Sequence, residues 1–207
     1  MSTYIGTVAV ADARGDVAAM YERQQAHWGY VPNYARVFSH RPEVLARWGQ
    51  LLAEIKRPLP KRLFELLTFA AAHELRNTPC TLAHGRALRE FYADAQIVAL
   101  ATGRAEDVLD ARELAMVAFA RRVARDATTV TRAEVDALCS LGWSDADIFD
   151  AAAVAAGRAF FTKLLDGLGV TTDAAFAELD PPLREALSLG GPIDEAAAPA
   201  RMRPAGA

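Results

Sequence analysis

The chain has 207 residues, of which 52% are hydrophobic, with a net charge of −3 and only two cysteines, Cys80 and Cys139. Its apolar content is largely alanine dispersed through charged, helix-forming sequence, which argues against a membrane span, and its basic residues alternate with acids, which leaves no basic stripe for nucleic acid. Met1 to Asp12 lacks the basic start and apolar run of an export signal, so a cytoplasmic protein is expected, in which so sparse a cysteine pair serves reactivity and not a disulfide framework.

Residues 13 to 28 place Val17, Met20 and Tyr21 at helical spacing, and the pattern stops at Gly29. Tyr30-Val31-Pro32-Asn33 reads as a turn, because proline fixes its own backbone and restricts its predecessor. A helical stretch follows from Tyr34. Pro42 sits in the first turn of a further helix whose Val44, Leu45, Trp48, Leu51, Leu52 and Ile55 recur at three and four residues, ending before Pro58. Pro60 opens the next, with a wide apolar face of Leu63, Leu66, Leu67 and Ala70 that predicts burial deep in the core.

The pattern breaks at Asn77-Thr78-Pro79 and resumes. Thr78 is read as the N-cap, Pro79 as the first helical residue and Cys80 as the next; Asn77 either ends one helix or caps the other. Beyond a loop at Thr102-Gly103, a long helix is expected from Ala105 to Arg125. Thr131 with Glu134 and Ser144 with Asp147 match the capping-box spacing and open two more. The last, from Ser144 toward Leu168, carries Phe160 and Phe161 in a band fit for a core or a subunit interface. The reading is therefore an all-α helical bundle, one domain over residues 1–189, in three parts: N-terminal helices 1–57, a core 58–170 and an extension 171–189. Residues 190–207, rich in Gly, Pro and Ala, are expected to form a flexible tail. Glu65-Leu66-Leu67-Thr68-Phe69-Ala70 echoes Glu113-Leu114-Ala115-Met116-Val117-Ala118, as two related helical halves would.

Cys80 and His84, four residues apart, share one helix face a turn apart, so the imidazole is placed to take the thiol proton. The first turn of a helix adds partial positive charge that favours the thiolate, lowering the pKa below its ordinary value of about 8.5. The bland alternative is that both are packing residues of an alanine-rich helix.

The stretch Glu65 to Leu88, ELLTFAAAHELRNTPCTLAHGRAL, resembles the active-site motif of AhpD-like proteins in the carboxymuconolactone decarboxylase superfamily. Glu65, Cys80 and His84 fall at the glutamate, second-cysteine and histidine positions, while the first-cysteine position holds Asn77. The resemblance extends from Trp28 to Val170, including Tyr30-Val31-Pro32-Asn33, Val37-Phe38-Ser39-His40-Arg41-Pro42 and Ile148-Phe149-Asp150, and its wording is similar to the peroxidase-related branch. It implies an AhpD-like fold and a relay in which Glu65 serves His84, His84 is the base, and Cys80 attacks a peroxide oxygen or a disulfide sulfur. Asn77 cannot resolve an oxidised Cys80, so an external thiol reductant is implied.

Cys139 beside Val135 and Leu138 reads as a small buried hydrophobe. The apolar neighbours of Glu65 suggest burial, which would raise its pKa. His73 with Glu74 lacks the second histidine of a zinc-protease helix, because Asn77 stands there, so no metal is expected, and His27 and His40 read as surface or capping residues. Neither a phosphate-cradling loop nor a serine-nucleophile elbow is present, and no cofactor is expected. The first functional expectation is a thiol-dependent peroxidase-like oxidoreductase acting on hydrogen peroxide or an alkyl hydroperoxide. The alternatives are an acid-base, decarboxylase-like enzyme on a small organic acid, and a non-catalytic helical oligomer with a remnant site. The expected partners are a small peroxide or disulfide, an external thiol and, as a homo-oligomer, further copies of the chain.

Overall fold

The computed structural model describes residues 3–195. Ten α-helices follow one another among them: α1 (Gly15–Trp28), α2 (Asn33–Val37), α3 (Pro42–Lys56), α4 (Lys61–Glu74), α5 (Thr78–Leu88), α6 (Asp94–Ala101), α7 (Ala111–Asp126), α8 (Arg132–Ser140), α9 (Asp145–Gly167) and α10 (Pro181–Leu187). Short 3-10 turns link several of them, and the described residues contain no strand beyond an isolated bridge between Thr172 and Ile193. None of these helices is long and apolar enough to cross a membrane.

α4 is the axis. Every residue from Leu63 to Ala72 is buried, because α5, α7 and α9 pack around it and leave no face for water. A helix apolar nearly all round is a core helix, and the one acid inside this run, Glu65, must find a partner there. α9 crosses the bundle behind α4, and its N-terminus carries the expected capping box, with Ser144 Oγ accepting from Asp147 N–H. Thr131 and Glu134 form the same box on α8. The apolar band of α9 divides: Phe161 is buried among the rings of Tyr34, Phe38 and Trp48, whereas Phe160 is 48% and Phe149 71% exposed.

Two hydrophobic clusters result. The larger gathers α4, α7, α9 and α10 around Phe69, Met116 and Leu187; the smaller gathers α1, α2, α3 and the far half of α9 around Met20, Trp48 and Phe161. Cys80 belongs to the smaller cluster, so the start of α5 lies on the seam between them. The echoing segments are α4 and α7, which pack together, with Arg62 paired to Glu113.

Four local expectations are corrected. The long helix expected from Ala105 begins at Ala111, because the Asp110 carboxylate accepts from Glu113 N–H and caps it there; Ala105–Asp107 is a separate 3-10 turn. Cys139 is exposed on α8 instead of buried, since only Leu138 of that helix turns fully inward. The N-cap of α5 is Asn77, one residue earlier than Thr78. Finally, residues 190–195 are tied to the bundle: Thr78 Oγ1 accepts from Leu189 and Gly190 N–H, and Asp194 accepts from Asn33 Nδ2 at 2.9 Å. The remainder of the expected tail, 196–207, lies outside the described residues.

Candidate active site

The turn between α4 and α5 sets the position of the thiol. Arg76 adopts a left-handed backbone (φ 57°), and Asn77 N–H donates to Ala72 O, five residues back, so the chain reverses within two residues and α5 starts at once. A non-glycine residue in this conformation costs about 1 kcal/mol, offset here by the carbonyls that the motif satisfies. Asn77 is buried and doubly engaged. Its Oδ1 accepts from Cys80 N–H at 2.9 Å, and its Nδ2 donates to Asp166 Oδ1 of α9 at 2.6 Å. The residue at the first-cysteine position is thus a structural bridge between the start of α5 and the end of α9.

Cys80 follows in the first turn, 5% exposed, and His84 one turn further along α5. His84 Nδ1 lies 2.7 Å from Glu65 Oε2, with both side chains mostly buried, at 17% and 9% exposure. The structure therefore brings Glu65 and His84 into direct contact. It does not do the same for His84 and Cys80, which share no hydrogen bond. Instead Sγ accepts from Arg158 Nη1 of α9 at 3.5 Å. Arg158 was not singled out from the sequence. Its signal was a lone cation inside the small and apolar run Ala155-Ala156-Gly157-Arg158-Ala159-Phe160-Phe161.

The electrostatics follow from burial and these contacts. Burial raises the Cys80 thiol pKa above its ordinary value; the nearby charge and hydrogen bond of Arg158 pull it down, and Asp166 pushes it up. The expectation of a lowered thiol pKa is corrected accordingly, because loss of water outweighs the helix start, whose Cys80 N–H is already committed to Asn77. Burial also opposes ionisation of Glu65, yet its pKa comes out lowered, since the His84 hydrogen bond and charge, with Lys56 and Arg158, favour the carboxylate. That reverses the expected rise. His84 is lowered by burial and by Arg158 against the pull of Glu65, so the imidazole is neutral at pH 7. With Nδ1–H directed to the carboxylate, Nε2 is the nitrogen left with a free lone pair.

Glu65, Cys80, His84 and Arg158 all line one cavity of about 790 Å³, walled by Trp28, Tyr34, Trp48, Phe161 and Phe176. Asp173, also in the lining, accepts from Asn33 N–H at 2.7 Å and bonds Tyr30; burial pushes its carboxyl up to about 6 and the Tyr30 hydroxyl above its ordinary value. His27 also lines the cavity. His73 does not: it packs beside Phe69, with Nε2 buried and unpartnered. His40 Nε2 meets Gly6 O at 2.6 Å near the surface.

A helical bundle with a cysteine at a helix start, beside a buried glutamate and histidine pair, has the AhpD-like architecture, and part of the chain is similar to the carboxymuconolactone decarboxylase family. The family model described as Carboxymuconolactone decarboxylase family matches residues 42–122, a segment that includes Glu65, Cys80 and His84. Among solved structures, the chain is similar to an alkylhydroperoxidase AhpD-core, peroxidase-related protein of Ralstonia eutropha JMP134, with 22% identity, TM-score 0.73, and coverage of 85% of this chain and 95% of that one. A peroxidase-related protein of Silicibacter sp. TM1040 gives 23% identity and TM-score 0.74, covering 86% and 95%. The debrominase Bmp8, solved as a cysteine-to-alanine variant with 2,3,4-tribromopyrrole, gives 14% identity and TM-score 0.66, covering 90% and 97%. No curated protein matches the chain.

Proposed function

We propose that the protein is a thiol-dependent, peroxidase-like oxidoreductase in which Cys80 reduces a hydroperoxide and an external thiol regenerates it. The observation that carries this reading is the convergence of Sγ, the Glu65–His84 pair and the Arg158 guanidinium on one cavity. His84 Nε2 takes the proton of the Cys80 thiol, through a water or a small swing of the ring, while the Glu65 carboxylate stabilises the imidazolium through Nδ1–H. Arg158 holds the resulting thiolate. The sulfur attacks the distal oxygen of ROOH, the O–O bond breaks, and the leaving alkoxide takes the proton from His84 as ROH. Cys80 is left as a sulfenic acid. One R′SH condenses with it, releasing water and forming a mixed disulfide; a second R′SH then releases R′SSR′ and restores the thiol. Neither Asn77, which has no sulfur, nor Cys139, exposed on α8, lines the cavity to resolve the sulfenate internally.

The test is peroxide consumption, with hydrogen peroxide and cumene hydroperoxide, in the presence of several thiol donors, together with dimedone labelling of peroxide-treated protein read by peptide mass spectrometry. Dimedone is expected on Cys80, and Cys80→Ser is expected to lose turnover. Absence of both sulfenate and consumption with every donor would overturn the proposal. Turnover of an organic acid that survives Cys80→Ser would point to acid-base chemistry of His84 and Glu65 instead.

A further inference from the structure

The resting site holds a buried cation with no direct ion-pair partner among the described residues. Arg158 is 6% exposed, and its polar contact is Nη1 to the Cys80 sulfur. Its Nε is buried without a partner, and no carboxylate of the described residues forms an ion pair with it. Glu65 acts on it only through space, because the Glu65 hydrogen bond goes to His84. A planar guanidinium offers five donors, so this one stands beside a cavity with most of them unused. The Phe161 ring lies 5.5 Å from the guanidinium and stabilises it by a cation–π contact, but while Cys80 is a neutral thiol no anion touches the group, and a buried charge is expensive unless an acceptor meets it.

The lining carries more cations than carboxylates: Lys56, Lys61, Arg86 and Arg158 against Glu65 and Asp173. Lys56 sits over the Phe64 ring and pairs with no carboxylate among the described residues. On the acidic side are Glu65, committed to His84, and Asp173, whose carboxyl is held by Asn33 N–H and Tyr30. The volume lies within the ~300–1,000 Å³ of small-molecule sites, and far exceeds what a peroxide group alone would fill. The walls are rings: Trp28, Tyr34, Trp48, Phe161 and Phe176.

From these features we infer that the cavity binds an organic anion: a molecule with an apolar, ring-bearing body and one carboxylate-type oxyanion that Arg158 receives through the donors Nη1 does not use. A guanidinium is suited to this, because its fork matches a carboxylate in plane and charge-assisted hydrogen bonds are about twice as strong as neutral ones. Lys56, an exposed residue of the lining, attracts the same charge. The inference concerns what occupies the cavity. Under the thiol-peroxidase reading it makes the substrate an acidic organic hydroperoxide, but binding stands or falls independently of that reaction.

The experiment uses the full chain and a matched probe pair, 2-naphthoate and 2-naphthamide, by isothermal titration calorimetry without peroxide. The naphthoate is expected to bind about ten-fold or more tightly than the amide, the equivalent of about 1.4 kcal/mol. Arg158→Gln should erase that preference while its circular dichroism spectrum and melting curve stay those of a folded protein. Arg158→Lys, which keeps charge but loses the fork, should retain part of it. Equal affinities, binding of neither probe, or a preference that persists in Arg158→Gln would each overturn the inference. Since no peroxide is present, failure of peroxide reduction leaves this result untouched, and the reverse also holds.

Discussion

Arg158 of α9 donates to the sulfur of Cys80 across 78 residues of sequence, at 3.5 Å. The contact joins the start of α5 to a helix that also receives Asn77 through Asp166, so α9 touches the thiol's helix twice, once at the sulfur and once at the cap. Two opposed effects meet at Sγ. Burial disfavours the thiolate and Arg158 favours it, leaving the pKa above its ordinary value but lower than hydrocarbon alone would make it.

Replacing Arg158 by Met tests that balance. The thiol pKa should rise further, by about one unit or more, so alkylation of Cys80 by iodoacetamide at pH 8 should slow about ten-fold or more relative to the parent while the rates converge at strongly alkaline pH. Stability should not fall, because a buried charge lacking an ion-pair partner is replaced by an apolar chain of similar length. Intact-mass kinetics across pH and a thermal melt read both. An unchanged alkylation profile would show that the 3.5 Å contact has no electrostatic effect on the sulfur.

Asn77→Ala should destabilise the fold by about 1–2 kcal/mol in urea, the usual cost of losing an N-cap side chain. It also strips Asp166 of its donor and frees Cys80 N–H. Asn77→Asp should do worse at pH 7, where two carboxylates would face each other, and recover on acidification as one takes a proton. Equal stability of all three proteins at pH 7 would remove the bridge from the account.

The helices were legible because alanine-rich amphipathic sequence punctuated by Pro42, Pro60 and two capping boxes leaves little choice of local structure. Glu65 and His84 could be paired in advance only through the family motif, since nothing local says that a position on α4 faces a position on α5. The misreadings have physical causes. Cys139 has apolar sequence neighbours, but α8 packs through Leu138 and leaves the next residue in water. Asn77 and Thr78 are both good caps, and the left-handed turn at Arg76 decides between them. Arg158 was missed because a long-range contact leaves no periodic trace. Its one mark is a charge amid alanines and phenylalanines, which is what a buried cation looks like in a core helix. The thiol pKa lies above its ordinary value because desolvation of the buried sulfur outweighs the dipole of the helix start.

Glu65→Gln should keep a neutral partner for His84 but remove the charge that stabilises the imidazolium. For the proposed reaction a loss of about 10²-fold or more in kcat/KM is expected, the range of general acid-base catalysis. The parent's pH profile should rise with pH into the range where the buried thiol ionises, above its ordinary value, without an acid limb near the usual histidine pKa, because His84 is already neutral there. A bell centred near pH 6.5 would contradict this assignment of protonation states.

Asp173 gives a prediction for stability. Its carboxyl is pushed up to about 6 by burial, against an unperturbed value of 3.8, with Asp194 adding like charge and the Asn33 N–H and Tyr30 bonds opposing. Between those values the folded chain binds more protons at this site than the unfolded chain does. Its contribution therefore favours folding below about pH 4, is lost as pH rises through about 6, and is constant above. Asp173→Asn cannot ionise and its side-chain oxygen can still accept from Asn33 N–H, so it should melt higher than the parent at pH 7 and lose this falling component between pH 4 and 7. Because Asp194 lies beside Asp173 and is itself held by Asn33 Nδ2 and Thr171 Oγ1, the double variant Asp173→Asn with Asp194→Asn identifies the source. If Asp194 only amplifies the Asp173 shift, the second substitution should add little to the first. Melting temperatures collected from pH 4 to pH 8 decide it, and an Asp173→Asn curve parallel to that of the parent would mean that the Asp173 carboxylate is solvated in the folded chain.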